Sequence, residues 1–128
     1  MLNVEKTTLE GVFLVKPSAH EDARGNFYET YNEREYQEAD MTAKFVQDDV
    51  SVSKKGVLKG MHGDSWTYKL VQCVKGSVYA VILNCDEASP TSASGSPLSC
   101  QTRISISSIS RHVRKRLLCP DGYGGVHL

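Results

Sequence analysis

The sequence predicts an all-β barrel or sandwich in a single domain. Its 128 residues are enough to bury one core. Short β-prone segments recur at regular spacing, and turn residues separate them. GVFLVK (11–16) is rich in β-branched and aromatic residues. PSAHEDARG (17–25) ends in glycine and reads as a connection between strands. In GNFYETY (25–31), Phe27, Glu29 and Tyr31 alternate against Asn26, Tyr28 and Thr30. NEREYQEADM (32–41) is polar and opens with an asparagine suited to N-capping, which predicts a short surface helix. KFVQDDVSVS (44–53) alternates again, followed by VLKGMHG (57–63), TYKLVQCV (67–74) and SVYAVIL (77–83), with turns at 63–66 and 75–76. No internal repeat interrupts the series.

Charge excludes some partners. Fifteen Lys/Arg balance fifteen Asp/Glu, so no net field draws the chain to nucleic acid or to an anionic membrane. No apolar run approaches the roughly 20 residues of a membrane span, and MLNVEKTTLEG lacks a signal-peptide core, which makes the cytoplasm the expected location. Cys73, Cys85, Cys100 and Cys119 form no CxxC pair and no zinc-like spacing with histidine, so they read as buried free thiols.

The pattern breaks after Thr91. Residues 1–91 hold ten Lys/Arg against fourteen Asp/Glu, a net of −4, whereas residues 92–128 hold five against one, a net of +4. Eight serines fall within 92–110, and only RISISSIS resembles the earlier strands, its alternation slipping at Ser107–Ser108. It reads as an improvised edge strand. The basic run RHVRKR (111–116) has no interleaved aromatics and matches no nucleic-acid module.

The chemistry-bearing stretch is VLKGMHGDSWTYKLVQCVKG (57–76). A metal site needs three or four ligands. This stretch offers His62 alone, with Asp64 as the nearby acid and no second histidine two residues on, so neither a metal nor a cofactor is expected. An imidazole can accept a proton near neutral pH. Gly60 and Gly63 leave room beside it, and Lys69 opens the next strand. A base, a cation for a developing oxyanion and a dry pocket suit proton abstraction beside a ketone. On spacing alone an alternative stays open, in which His62 is a half-exposed strand residue and Lys69 a surface cation.

Three linked segments resemble the dTDP-4-dehydrorhamnose 3,5-epimerase family. HEDARGNFYET (20–30) is similar to its F-x-D-x-R-G-x-F-x-E segment, and FVQDDVSVSKKGVLKGMHGD (45–64) to its Q-x-N-x-S-x-S-x-x-G-V-L-R-G-x-H run. KLVQCVKGSVYAVILNCDEASPT (69–91) resembles its K-L-V-x-x-x-x-G-x-V-x-D-V-x-x-D-x-R-x-x-S-P-T. The resemblance covers about residues 10–91. It implies a cupin-type jelly-roll barrel (double-stranded β-helix) without metal, a homodimer in the intact family, and a nucleoside-diphosphate 4-keto-6-deoxy sugar as ligand. The implied reaction is epimerisation at C3 and/or C5 through an enolate, in deoxysugar and cell-surface polysaccharide biosynthesis. By motif position His62 is the base and Lys69 the enolate partner. Arg24, Phe27, Glu29, Gln47, Asp49 and Lys59 are the substrate-binding residues. Lys59 stands at an arginine position and Asp49 at an amide position, and Asn84–Cys85 replaces part of V-D-x-R. A 3,4-ketoisomerase of the same fold is the enzymatic alternative, disfavoured because Gly63–Asp64 follows where a second histidine is usual. A non-catalytic, nucleotide-sugar-binding remnant is the other.

After S-P-T the resemblance stops. The family's Trp, L-S, Asn, P-P-x-x-G-N-x-H and later general-acid tyrosine are not found at their spacing. The expectation is therefore an epimerase part over 1–91, incomplete at the C-terminus and impaired, followed by an aberrant, poorly ordered tail over 92–128. With freely chosen codons, SGSPLSCQTRISISSISRH read one base out of frame becomes WESPFLSDKNQHQQYLPP, which restores Trp, L-S, N-Q and P-P in order. We expect the encoding DNA, read in its other frames, to contain these peptides; frames without them rule out a frameshift origin.

Overall fold

The computed structural model describes residues 2–64, 66–92, 95–101, 105–108, 113–118 and 124–127, and side chains within 2–61, 63–64 and 66–92. The strands are β1 (Asn3–Lys6), β2 (Val12–Lys16), β3 (Ala19–Asp22), β4 (Gly25–Tyr28), β5 (Val50–Ser53) and β6 (Leu58–His62). They continue with β7 (Lys69–Lys75), β8 (Ser77–Asn84), β9 (Gly95–Gln101), β10 (Ser105–Ser108), β11 (Val113–Leu118) and β12 (Gly124–His127), and the helix is α1 (Glu33–Glu38). They form a six-stranded sheet in the order β1-β2-β10-β7-β12-β5, a four-stranded sheet β6-β11-β8-β9, and the hairpin β3-β4. Every pairing is antiparallel.

Alternation along the strands generates two cores. Val12 of β2, Val71 and Cys73 of β7, and Val78, Ala80 and Ile82 of β8 cluster with Leu9, and Leu14 packs against them. This core joins the two sheets. The intervening residues of the same strands serve the other face of the six-stranded sheet. There Val15, Phe13 and Leu70 meet Tyr36 of α1, Met41, Phe45 and Tyr31. Each fully buried aliphatic side chain adds roughly 1.5–3 kcal/mol of transfer free energy. The aromatic members lock edge to face, with Tyr31–Tyr36 centroids 4.9 Å apart and Tyr31–Phe45 5.4 Å apart.

Helix α1 starts as its sequence predicts: the Asn32 side chain accepts the Glu35 N–H at 3.4 Å. It is shorter than 32–41 because Asp40 takes a positive φ of 60° and ends the helical path. Asn84, which is 1% exposed, is a structural hub. Its amide donates to Ser89 Oγ and Thr91 Oγ1, both at 2.9 Å, and its carbonyl accepts the Asp86 N–H at 3.0 Å. Ser89 in turn donates to Glu10 at 2.7 Å, so the SPT segment ties the end of β8 to the turn before β2.

Three expectations change. Ala19–Asp22 is a strand and not part of a connecting loop, because it pairs with β4 from Ala19↔Tyr28 to Asp22↔Gly25. The alternating segment 44–53 is regular strand only from Val50. The described part of RISISSIS is no edge strand: β10 runs between β2 and β7, with Ile106 in register with both Leu14 and Val71.

We expect Ile82→Ala to lower stability by about 2–5 kcal/mol and Val52→Ala, at 77% exposure, by no more than about 0.5 kcal/mol, as read from urea unfolding. Equal losses would argue against the two-sheet core.

Candidate functional site

The strand β6 carries Lys59 and His62, three residues apart, which in a regular strand would put them on opposite faces. A bulge changes this. Lys115 of β11 pairs with His62 while Arg116 pairs with Gly60, so Met61 is skipped. Lys115 also pairs with Ile82, and Leu117 pairs with both Lys59 and Ala80. Ile82 and Ala80 belong to the inter-sheet core. Lys59 and His62 therefore hold register positions on the same, core-directed face. The His62 side chain lies outside the described residues.

Opposite them, Ser51 and Ser53 take the more buried positions of β5, whereas Val50 and Val52 are exposed. Lys59 Nζ donates to Ser51 Oγ at 2.5 Å, a bond that joins the two sheets. Gln47 and Asp49 precede Ser51 at the same period of two, and Gln47 Nε2 donates to Asp49 Oδ2 at 2.8 Å.

Lys69 begins β7 on the face of Val71 and Cys73, and its ammonium lies 2.8 Å from Asp64 Oδ2, with the two side chains 17% and 34% exposed. Asp64 Oδ1 accepts from Trp66 N at 3.0 Å, Thr67 N at 2.6 Å and Thr67 Oγ1 at 2.5 Å. The Lys69 ammonium first, and then the Thr67 hydroxyl, hold the Asp64 carboxyl well below the usual carboxylate range. A cavity of about 410 Å³ opens here, lined by Gln47, Asp49, Asp64, Trp66, Tyr68 and Lys69 among others. Trp66 is 79% exposed on its rim.

Of the residues expected to form the site, this cavity unites Gln47, Asp49 and Lys69. Lys59 is linked through Ser51 to β5, which directly follows Asp49. Arg24, Phe27 and Glu29 are elsewhere. Arg24 sits at the tip of the β3-β4 hairpin, where its guanidinium binds Asp22 Oδ2 at 2.5 and 3.0 Å. That contact lowers the Asp22 pKa and raises that of Arg24. Phe27, 69% exposed, borders a hollow of about 380 Å³ with Arg24 and another of about 150 Å³ with Glu29. Sequence reasoning weighed Asp64 only as a metal ligand and passed over Trp66, Tyr68 and Ser51. The signal for Asp64 was the spacing D-x-x-T, which suits a side-chain-stabilised turn. No group of three His, Cys, Asp or Glu side chains able to hold a metal occurs among the described residues.

The family model for dTDP-4-dehydrorhamnose 3,5-epimerase matches residues 6–123. The chain belongs to this family. A dTDP-4-dehydrorhamnose 3,5-epimerase of Methanothermobacter thermautotrophicus is 38% identical over 88 residues, 67% of this chain and 48% of that protein. The protein of that name from Shigella flexneri is 40% identical over 94 residues, 70% and 52% of the two chains. The chain thus spans about half the length of the curated relatives it matches. The crystal structure of dTDP-6-deoxy-D-glucose-3,5-epimerase from Legionella pneumophila, in complex with dTDP-4-keto-L-rhamnose, superposes with a TM-score of 0.91. It is 26% identical and covers 99% of this chain and 70% of its own. The fold of this epimerase-family chain is accordingly of the cupin type, as the motifs implied.

Stability should report the Asp64–Lys69 pair directly. A depressed folded pKa adds stability that is complete above the ordinary carboxylate range and is lost as the pH falls through it towards the folded value. We expect the melting temperature of wild type to exceed that of Asp64→Asn at pH 7, with the gap closing between about pH 5 and pH 2. A gap independent of pH would count against the pair.

Proposed function

We propose that the chain acts on a nucleoside-diphosphate 4-keto-6-deoxy sugar, inverting C3 and/or C5 through an enolate. The observation that carries this reading is the Lys69 ammonium, anchored at 2.8 Å by Asp64 at a cavity shared with Gln47 and Asp49. His62 lies on the adjoining sheet at a core-directed register position. Family membership supports the substrate class, and the Legionella pneumophila structure holds dTDP-4-keto-L-rhamnose.

A C4 carbonyl acidifies the hydrogens on C3 and C5. His62 takes one of them, the electrons move into the C–C bond, and the carbonyl oxygen becomes an enolate oxygen. The Lys69 ammonium stabilises that charge, which is largest in the transition state and the intermediate. Protonation from the opposite ring face inverts the centre and needs an acid across the sugar. Gln47 and Asp49 line the approach, and Lys59 supplies positive charge for the diphosphate, without the bidentate fork an arginine would offer. Because the family's acid tyrosine is missing from its spacing, turnover in this chain is slow or lost. Homodimer formation and a cytoplasmic location belong to the same reading. Exposed Val46, Val50 and Val52 offer an apolar surface of the kind a second copy covers.

Incubation with such a sugar nucleotide in deuterated water tests the reading by mass spectrometry. We expect deuterium at C3 or C5, reduced by about 10²–10⁴-fold in His62→Ala and about 10²–10³-fold in Lys69→Ala. A 3-keto product would point to the ketoisomerase. Binding with no exchange would favour the non-catalytic remnant, the second reading that the altered tail supports.

A further inference from the structure

We propose that Asp64 is the positioning residue of this site, holding the Lys69 ammonium in one place at the cavity wall. The two carboxylate oxygens divide the work. Oδ1 gathers Trp66 N, Thr67 N and Thr67 Oγ1, which closes the turn ahead of β7. Oδ2 is left for Lys69 Nζ at 2.8 Å. The turn is therefore built by the same group that fixes the cation.

The arrangement addresses a specific difficulty. A lysine carries its charge on a flexible four-carbon stem, and an untethered ammonium must be oriented anew in each catalytic event. A donor fixed beforehand stabilises a developing oxyanion without that reorganisation. Here the stem is largely buried, with the side chain 17% exposed. An ammonium has three hydrogens. One goes to Asp64, and the other two have no partner among the described residues. Those two can meet an oxygen in the cavity. Lys44, Asp49 and Tyr68 line the same space, but the salt bridge of Lys69 is to Asp64.

What the clamp is for rests on the epimerase reading; whether it exists does not. The test is therefore amine reactivity, which needs no turnover. Asparagine at 64 keeps a carbonyl that can accept from Trp66 and Thr67, and loses the negative charge on Lys69. The folded full-length chain is treated with a limiting acylating reagent, and the rate at each lysine is read by mass spectrometry. We expect Asp64→Asn to raise the rate at Lys69 by about two- to five-fold, the range for a partly exposed ion pair, and to leave Lys44 unchanged. An unchanged Lys69 rate overturns the proposal and reduces Asp64 to a turn residue. If all lysines accelerate together, the variant has lost its fold, and Asp64→Glu decides instead. A Lys69 rate that stays slow with the carboxylate retained supports the clamp; a rate as fast as in the asparagine variant overturns it. In a chain that turns over, Asp64→Asn should lower kcat more than it raises KM, because the fixed charge is used most in the transition state.

Discussion

A β-strand sends successive side chains to opposite faces, and in β7 both faces are claimed by cores. Val71 and Cys73 enter the core between the sheets, and Leu70 enters the one under α1. A slip of one residue would put the buried Gln72, 1% exposed, where Val71 or Cys73 now packs. The register of β7 is thereby fixed from both sides. Lys69, two residues ahead of Val71, has no freedom to leave the core-directed face. Its charge is tolerable there because the strand is just beginning, solvent is close, and Asp64 answers it at 2.8 Å. The site is thus an outcome of packing before it is an outcome of chemistry.

The second sheet needs a different device to face it. Two cationic or protonatable groups spaced by three cannot share one side of a regular strand, and β6 carries Lys59 and His62 at that spacing. The bulge opposite Lys115 and Arg116 absorbs the odd residue. Bulges often sit where a strand must re-aim a side chain, and here one residue's worth of slippage aligns both positions with Ala80 and Ile82. The glycine at 60, with φ 104°, sits beside the bulge, in a conformation that a larger residue adopts only under strain. Without the extra residue Met61 the two groups would be spaced by two, which in a regular ladder is already one face; the bulge restores that relation across a spacing of three.

How much of this could be read beforehand follows from where the information lies. Strands with a buried face announce themselves by alternation, as GVFLVK, TYKLVQCV and SVYAVIL do. NVEK and AHED do not, because their side chains are mostly exposed and only backbone pairing makes them strands. The reverse holds for 44–49, where alternation is present but Val46 is 84% exposed and no ladder forms. Within the site, Gln47, Asp49 and Lys69 were legible as a group because motif spacing and one cavity agree. Arg24 and Phe27 ride on a hairpin whose place depends on what it packs against, and that information is not local to HEDARGNFYET. Asp64 was visible but considered only as a metal ligand and set aside, whereas its two oxygens serve a turn and an ammonium.

The same distinction explains how the tail can lie within both sheets. Strands β10, β11 and β12 each run between two partners, and each partner asks chiefly for backbone donors and acceptors in register. The side-chain requirement is a period of two with something apolar on the core face. SISS meets it minimally: Ile106 registers with Leu14 and Val71 on the inter-sheet core side, while Ser105 and Ser107 register with Val15, Gln72, Phe13 and Leu70. A strand slot of this kind discriminates weakly among sequences, so a segment with the right alternation can fill it. Enolate chemistry discriminates strongly, since it needs an imidazole, an ammonium and an acid at defined positions. The candidates for two of these, His62 and Lys69, stand on β6 and β7. The backbone of such a slot can thus be completed by approximate means, whereas the exact positions that an enolate requires cannot.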